Sequence, residues 1–271
     1  MTPDVSVVVP TFRRPALVVE AVRSALAQAD DGVRVEVRVL DDSPEGSARE
    51  PVQALGDARV HYVRRDVPTG GNPATVRNEG WPLTAGRYLH FLDDDDRVAP
   101  GAYRALLDAL DAHPDQGVAF GRVAPFGDDA AVLARQTTYF EDAARRARVA
   151  ARLRSRRWMV ANMLFRPTVL VNSACLIRRE LLPALGGYDT RLPLVEDVDF
   201  YLRAIRRGGA VFLDRVVLEY RTGAPSLMHD ERDARKAVSA YRLIHERYRR
   251  EWGAAEHTAL RLAARTFLRW L

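Results

Sequence analysis

Cysteine and lysine are almost missing from this chain, and each shortage removes chemistries. Cys175 is the single cysteine. Intrachain disulfides and cysteine metal clusters are therefore impossible, which points to a reducing compartment. Of the 41 basic residues, only Lys236 is lysine. It stands between Arg235 and Ala237, so no Gly-Lys-Ser/Thr phosphate loop exists. Schiff-base and lysine-dependent kinase chemistries are disfavoured for the same reason. The chain also lacks an apolar run near the ~20 residues a membrane span needs. Its start, Met1-Thr2-Pro3-Asp4, has no basic stretch leading into an apolar one, so no signal peptide is expected. What is present is a 271-residue chain with 47% hydrophobic and 28% charged residues and a net charge of +5. That composition suits one large folded domain, alone or with an appendage, and excludes a disordered chain.

Residues 1–125 alternate strand and helix patterns. Val5–Val9 is a continuous β-branched run, as a strand buried on both faces should be. Further strands are expected at Val33–Leu40, Arg59–Val63, Arg87–Leu92 and Val118–Val123. Helices are expected over Ala16–Ala29, about Ala48 to Leu55, from the Thr69-Gly-Gly-Asn-Pro73 turn to about Ala85, and over about Ala99 to Ala112. This alternation predicts an α/β fold with a mostly parallel sheet and right-handed crossovers. The second half is less regular. Ala143–Val160 reads as one basic helix, Val169–Ile177 as a strand, Val195–Arg207 as a helix, and Ala210–Leu213 and Val216–Tyr220 as short strands. From about Asp230 the pattern is helical, with a break near Gly253.

Ligands of doubly wound sheets bind beyond the carboxyl ends of the strands. There the chain places Thr11, the pair Asp41-Asp42, and the run Asp93-Asp94-Asp95-Asp96. Taken alone, such a run is an acidic turn or the cap of the next helix. On one sheet edge with a second acidic pair, its self-repulsion calls for a divalent cation. Carboxylate oxygens suit Mg²⁺ or Mn²⁺, and a diphosphate would complete the coordination.

Six stretches, in order, resemble family 2 glycosyltransferases of the GT-A fold. They are Val5-Ser-Val-Val-Val-Pro-Thr-Phe-Arg-Arg14, Leu40-Asp-Asp-Ser43, Gly70-Gly71, Ala74-Thr-Val-Arg-Asn78, Phe91-Leu-Asp-Asp-Asp-Asp96, and Gly186-Gly-Tyr-Asp189 followed by Glu196-Asp197. The resemblance covers residues 5 to about 221. It implies a Rossmann-like sheet flanked by helices: 1–125 as the nucleotide-sugar half, 126–225 as the acceptor and base half, and 226–271 as a helical extension. It implies an inverting transfer of sugar from a nucleotide-diphosphate sugar, UDP or dTDP, to an acceptor hydroxyl. Pro10, Thr11 and Arg13 would line the nucleotide site. Asp41 would bond the base or ribose, with Asp42 beside it. Arg77 would sit near the diphosphate and the acidic run, or else pair with Asp42 to hold the strand ends. Asp93 and Asp95 occupy the ends of the family's Asp-x-Asp motif, with Asp94 between. Asp95, then Asp96, are the expected metal ligands. Asp197 would be the general base and Glu196 its acidic neighbour, although Glu-Asp at a helix start also suits the helix dipole. Some relatives add a metal-binding histidine, for which His229 is the candidate, a surface histidine being the alternative.

Arg97 departs from the family pattern and would serve a phosphate or Asp93. His61 and His90 read as packing residues, and His113, His245 and His257 as exposed helix positions. Arg145, Arg146, Arg148, Arg152, Arg154, Arg156 and Arg157 read either as a solvated face or as a contact for an anionic acceptor or membrane surface. Without interleaved aromatics, nucleic-acid binding is not expected. The last segment would pack on the domain, form a homodimer, or rest on a membrane. A cytoplasmic enzyme is expected, associated with the inner membrane face if it binds lipid. The rival readings are a silent sugar-nucleotide-binding protein, a nucleotidyltransferase on the same kind of sheet, and an aspartate-nucleophile phosphatase. The nucleotidyltransferase's Gly-rich N-terminal signature is absent. The phosphatase would need a lysine that only Lys236 could supply.

Overall fold

The computed structural model describes residues 2–153, 155–167, 169–192, 194–223 and 231–266. Eight strands form one sheet in the order β3-β2-β1-β4-β7-β6-β8-β5. The strands are β1 (Val5–Thr11), β2 (Val35–Asp41), β3 (Val60–Arg64), β4 (Tyr88–Phe91), β5 (Arg97–Val98), β6 (Val118–Phe126), β7 (Cys175–Arg178) and β8 (Ala210–Arg221). The β1–β2, β1–β4, β2–β3 and β6–β8 pairs are parallel, while β7 runs antiparallel to both β4 and β6. Every residue of β1 is buried, which explains its unbroken valine run: both faces are covered, so no polar alternation is needed.

The helices are α1 (Pro15–Leu26), α2 (Arg49–Gln53), α3 (Pro73–Gly80), α4 (Ala102–Ala112), α5 (Ala130–Arg152), α6 (Arg156–Phe165), α7 (Leu182–Leu185), α8 (Glu196–Gly208), α9 (Glu231–Trp252) and α10 (Ala254–Thr266). They flank the sheet and bury two apolar layers. In one, Val7, Val9, Val37 and Val39 meet Val18, Val22 and Tyr103. In the other, Val8, Phe91 and Phe120 meet Met163, Phe200 and Ile244. The second layer ties α9 and α10 to the sheet, so these helices pack on the domain. Among the described residues no helix is long and apolar enough to cross a membrane.

The second half differs from expectation in three places. The basic helix is two helices, α5 and α6. The first begins far earlier, where Asp129 caps the amides of Ala131 and Val132 at 2.9 and 3.0 Å. The apolar stretch 169–177 forms a strand only from Cys175. Before it, Asn172–Ala174 makes a 3-10 turn. The two expected short strands are one, β8, with register shifts opposite Gly121–Val123. Such a shift bends a strand without ending it.

Candidate active site

The carboxyl ends of β1, β2 and β4 meet the start of α8 at one side of the sheet. Thr11 ends β1, and its hydroxyl donates to Asp94 at 2.7 Å. Arg14, just ahead of α1, donates to Asp94 at 2.9 Å and to Asp95 at 2.8 Å. Asp96 is buried and accepts the amide of Arg221 at 3.2 Å. Asp93 is tied from three directions. Its amide donates to the Ser173 hydroxyl at 3.0 Å, while its carboxylate accepts Asn172 at 3.2 Å and Arg77 at 2.6 Å.

Arg77 is the hub. Its second arm donates to Glu196 at 2.7 Å, so one buried guanidinium joins the acidic run to the start of α8. It also lies over the Tyr188 ring, 5.2 Å from the centroid. That ring stacks on Phe200 at 4.0 Å, and its hydroxyl donates to Asn172 at 2.8 Å. Asn78 fixes the backbone here: it accepts the Tyr188 amide at 2.7 Å and donates to the Tyr188 carbonyl at 2.9 Å. Gly187 allows this approach. Its φ is +77°, and a Cβ there would lie 2.5 Å from Asn78 Oδ1.

Asp197 is held differently from its neighbour. Among the described residues its hydrogen bond is local, from the Val198 amide at 2.8 Å. Burial, and then Glu196 and Asp93, raise its pKa to about 7 against the opposing pull of Arg77. The residue before the pair, Val195, has φ +56°. A β-branched residue in the left-handed region is strained, and strain of this kind gathers at functional sites. Behind the pair, Asp199 accepts Arg203 at 2.9 Å and Arg247 of α9 at 2.7 Å. Arg247 also reaches Asp189, joining α9 to the chain before α8.

The cluster carries surplus negative charge. Asp93, Asp94, Asp95, Asp96, Glu196 and Asp197 converge, while Arg14 and Arg77 are the guanidinium groups paired to their side chains. Burial raises Asp94 to about 6, against Arg14. Burial and then Asp93 raise Asp95, and the same two causes raise Asp96 well above its ordinary value. Among the described residues, no three His, Cys, Asp or Glu side chains close into a ready-made metal cage.

Several expectations need correction. Asp41 does not face a ligand. It is fully buried, and its carboxylate accepts the Ser43 amide at 2.9 Å, the Ser43 hydroxyl, the Ala48 amide at 2.9 Å and the Tyr62 hydroxyl at 2.9 Å. Those donors fill the acceptor sites of a carboxylate. Asp42 accepts Arg65, the Thr69 amide and hydroxyl, and the Gly71 amide, so its guanidinium partner is Arg65 and not Arg77. Arg13 has φ +57° and points outward to Glu45 at 2.8 Å. The inward arginine is Arg14. Pro10 is a buried β1 residue. Arg97 pairs with Glu20 at 2.6 Å, away from Asp93. His61 is exposed, while His257 is buried and lies 2.9 Å from the half-buried His245. His90 is buried between the Tyr103 hydroxyl and the Ser173 carbonyl. His229 lies outside the described residues. Asn172 and Ser173 are missed from sequence, and Arg14, Asn78 and Tyr188 stand inside recognised stretches without a role of their own. The Asn172-Ser173 pair, polar inside an apolar run, was the available signal.

Comparison with known proteins places this geometry. The profile of Glycosyl transferase family 2 matches residues 6–183, and the chain belongs to that family. The succinoglycan biosynthesis protein ExoO of Rhizobium meliloti is 38% identical over 110 residues, 41% of this chain and 30% of that protein. The putative colanic acid biosynthesis glycosyl transferase WcaA of Escherichia coli is 32% identical over 116 residues, 42% of this chain and 39% of that protein. The matched stretch thus spans roughly a third of these relatives' length. The fold is that of S. aureus TarS residues 1–349 in complex with UDP-GlcNAc, at TM-score 0.66 and 16% identity, over 96% of this chain and 70% of that one. The mannosyltransferase PcManGT of Pyrobaculum calidifontis, in complex with GDP-Man and Mn²⁺, matches at TM-score 0.56 and 18% identity, over 98% of this chain and 76% of that one. The architecture is the GT-A type.

Proposed function

We propose that this chain is an inverting glycosyltransferase that moves a sugar from a nucleotide-diphosphate sugar to an acceptor hydroxyl, with Asp197 as the general base. The observation that carries this reading is the contrast within Glu196-Asp197. Glu196 is locked to Arg77 at 2.7 Å, whereas Asp197 is bound, among the described residues, by a local amide and is pushed up to about 7. A general base works best when its pKa lies near the working pH. Asp197 accepts the proton of the acceptor hydroxyl as that oxygen forms its bond to the anomeric carbon. The bond from that carbon to the diphosphate oxygen breaks in the same step, and its electron pair leaves with the nucleoside diphosphate. One displacement inverts the anomeric centre and needs no covalent nucleophile.

A divalent cation fits the acidic run by donor chemistry. The oxygens are hard, and burial with mutual repulsion raises Asp95 and Asp96. Asp95, partly exposed, would hold it with Asp93 or Asp96. Bound there, Mg²⁺ or Mn²⁺ would neutralise the charge of a diphosphate leaving group. Thr11 and Arg14 fix Asp94 and Asp95 in place, while Asp41 and Asp42 brace the loops around the nucleotide. The bound sugar nucleotides of the two structural neighbours support a donor of this class.

The test is Asp197→Asn, which preserves shape but cannot take the proton. Turnover should fall about 10²–10⁴-fold, with nucleoside-diphosphate affinity unchanged by calorimetry. Near-normal turnover in the variant would overturn the assignment.

A further inference from the structure

Most arginines of α5 and α6 are neutralised or spent on carbonyls. Arg145 pairs with Asp142, Arg148 with Asp214 and Arg157 with Glu256, and Arg156 donates to the carbonyls of Arg207 and Asp115. Arg135 and Arg152 of the same helix are exposed to water, whereas Arg146 is half-buried. Among the described residues no carboxylate lies within ion-pair distance of it. One arm reaches the Pro167 carbonyl at 3.4 Å, and its Nε is buried with no partner. Burial holds its pKa down, with Arg145 and Arg166 adding to the effect. Asp142, one turn back on α5, opposes this pull from beyond ion-pair distance, and a half-buried cation without a close ion pair gains from an anion that supplies one.

Its neighbourhood says what would. Arg166 has no carboxylate partner among the described residues either, and it donates to the Ala264 carbonyl at 3.1 Å. With Phe165, Arg261, Ala264 and Arg265 it lines an open groove of about 510 Å³ between α6 and α10. Among the described residues, three arginines and no carboxylate line that groove. In the other direction the site leads to the proposed base. Tyr139 and Arg146 lie two turns apart on one face of α5. The Tyr139 hydroxyl feels both the Arg146 cation and the Asp197 carboxylate. Tyr241 of α9 feels Asp197 and Tyr139 in turn. The Arg146 arm on the Pro167 carbonyl, next in sequence to Arg166, brings this face of α5 up to the groove.

We infer that Arg146 and Arg166, with Arg261 and Arg265 along the groove, bind a phosphate or diphosphate group on the acceptor. Planar guanidinium pairs match phosphate oxygens in bidentate fashion. The word acceptor rests on the transfer reaction proposed above; the anion site does not.

The probe is inorganic pyrophosphate, titrated calorimetrically into the full chain in the presence of a chelator. Without a divalent cation the acidic run repels it, so the titration reads the arginine site. Arg146→Gln/Arg166→Gln should weaken binding about 10- to 100-fold, as expected for loss of two charge-assisted contacts. Arg145→Gln/Arg148→Gln removes the same charge from paired positions and should leave binding intact. If the first double variant does not fold, Arg261→Gln, at an exposed position, supplies the comparison with a smaller loss. Phosphatidylglycerol vesicles identify the source of the phosphate. Co-sedimentation of the wild type but not of Arg146→Gln/Arg166→Gln assigns it to a lipid headgroup. Pyrophosphate binding without co-sedimentation assigns it to a soluble acceptor. Absent wild-type binding, equal affinity in the first double variant, or equal loss in the paired-position control would overturn the inference. Asp197→Asn should bind pyrophosphate as the wild type does, so failure of the transfer reaction and failure of this site are distinguishable.

Discussion

Arg77→Met removes the hub of the site while keeping much of its apolar length. The Arg77 side chain is 4% exposed and joins Asp93 at 2.6 Å to Glu196 at 2.7 Å. Removing one partner of a buried pair costs about 3–5 kcal/mol, because the other charge is left uncompensated. Asp93 is 36% exposed, so water screens much of its share; Glu196, at 13%, bears most of the loss. The lower end, about 3 kcal/mol, is therefore expected. For a domain of this size that lowers the melting temperature by roughly 6–12 °C. A second effect follows from charge. Arg77 pulls the Asp197 pKa down, against burial and Glu196, so its loss moves that pKa further up. Wild-type turnover should rise with pH through about 7 as Asp197 loses its proton, and in Arg77→Met this acid limb should shift to higher pH. Arg77→Met/Glu196→Gln removes the stranded charge and should recover part of the melting temperature. Differential scanning calorimetry and a pH–rate profile check both effects. A variant that melts within about 2 °C of the wild type and keeps its acid limb would refute the view of Arg77 as the charge that holds this site together.

Three further expectations are independent of that hub. Asp95→Ala should abolish the Mn²⁺ dependence of nucleoside-diphosphate binding measured by calorimetry; an unchanged metal requirement would remove Asp95 from the ligand set. Asp41→Ala strands the amides of Ser43 and Ala48 and the Tyr62 hydroxyl, at about 1–3 kcal/mol for each buried group; urea denaturation should register the loss, whereas a fully stable variant with lost nucleotide affinity would restore Asp41 as a ligand. Burial, then Arg249 and His245, lower the His257 pKa to about 4; the unfolded chain then binds more protons between about 4 and 6.5, so α10 should loosen as pH falls through that window. Amide exchange in 254–266, compared with β1 at pH 5 and pH 7.5, reads this, and equal protection of α10 at both would refute it.

Much of the first half was legible because each element carries its own local signal. The Val5–Val9 run can only be a strand covered on both sides, and Asn72-Pro73 starts a helix because Asn72 accepts the Thr75 amide at 3.1 Å and Pro73 needs no donor. Site details failed where the outcome depends on one backbone angle or one distant partner. Arg13 and Arg14 are chemically alike, and the positive φ at Arg13 decides which turns inward. Asp41 and Asp42 read as ligands because they end a strand. Ser43 and Ala48, which fill part of Asp41, are close in sequence, but Tyr62, Thr69 and Gly71, which complete the two carboxylates' partners, lie 21 to 29 residues away and signal nothing locally. In β8, Asp214 and Arg215 separate two expected strands, but they are a bulge: pairing with β6 stops at Leu213 opposite Gly121 and resumes at Val216 opposite Arg122.

The Arg247 link bears on when the enzyme becomes competent during synthesis. Asp199 and Asp189 leave the ribosome 48 and 58 residues before the arginine that bridges them. Until α9 arrives, two carboxylates on either side of the Glu196-Asp197 turn lack their shared cation, and the strained Val195 junction between them is unsupported. A nascent chain that has completed its sheet therefore still has an unfinished α8. On the proposed mechanism, translation itself delays the chemistry, because the Asp197 helix gains this guanidinium only once α9 has been made and docked.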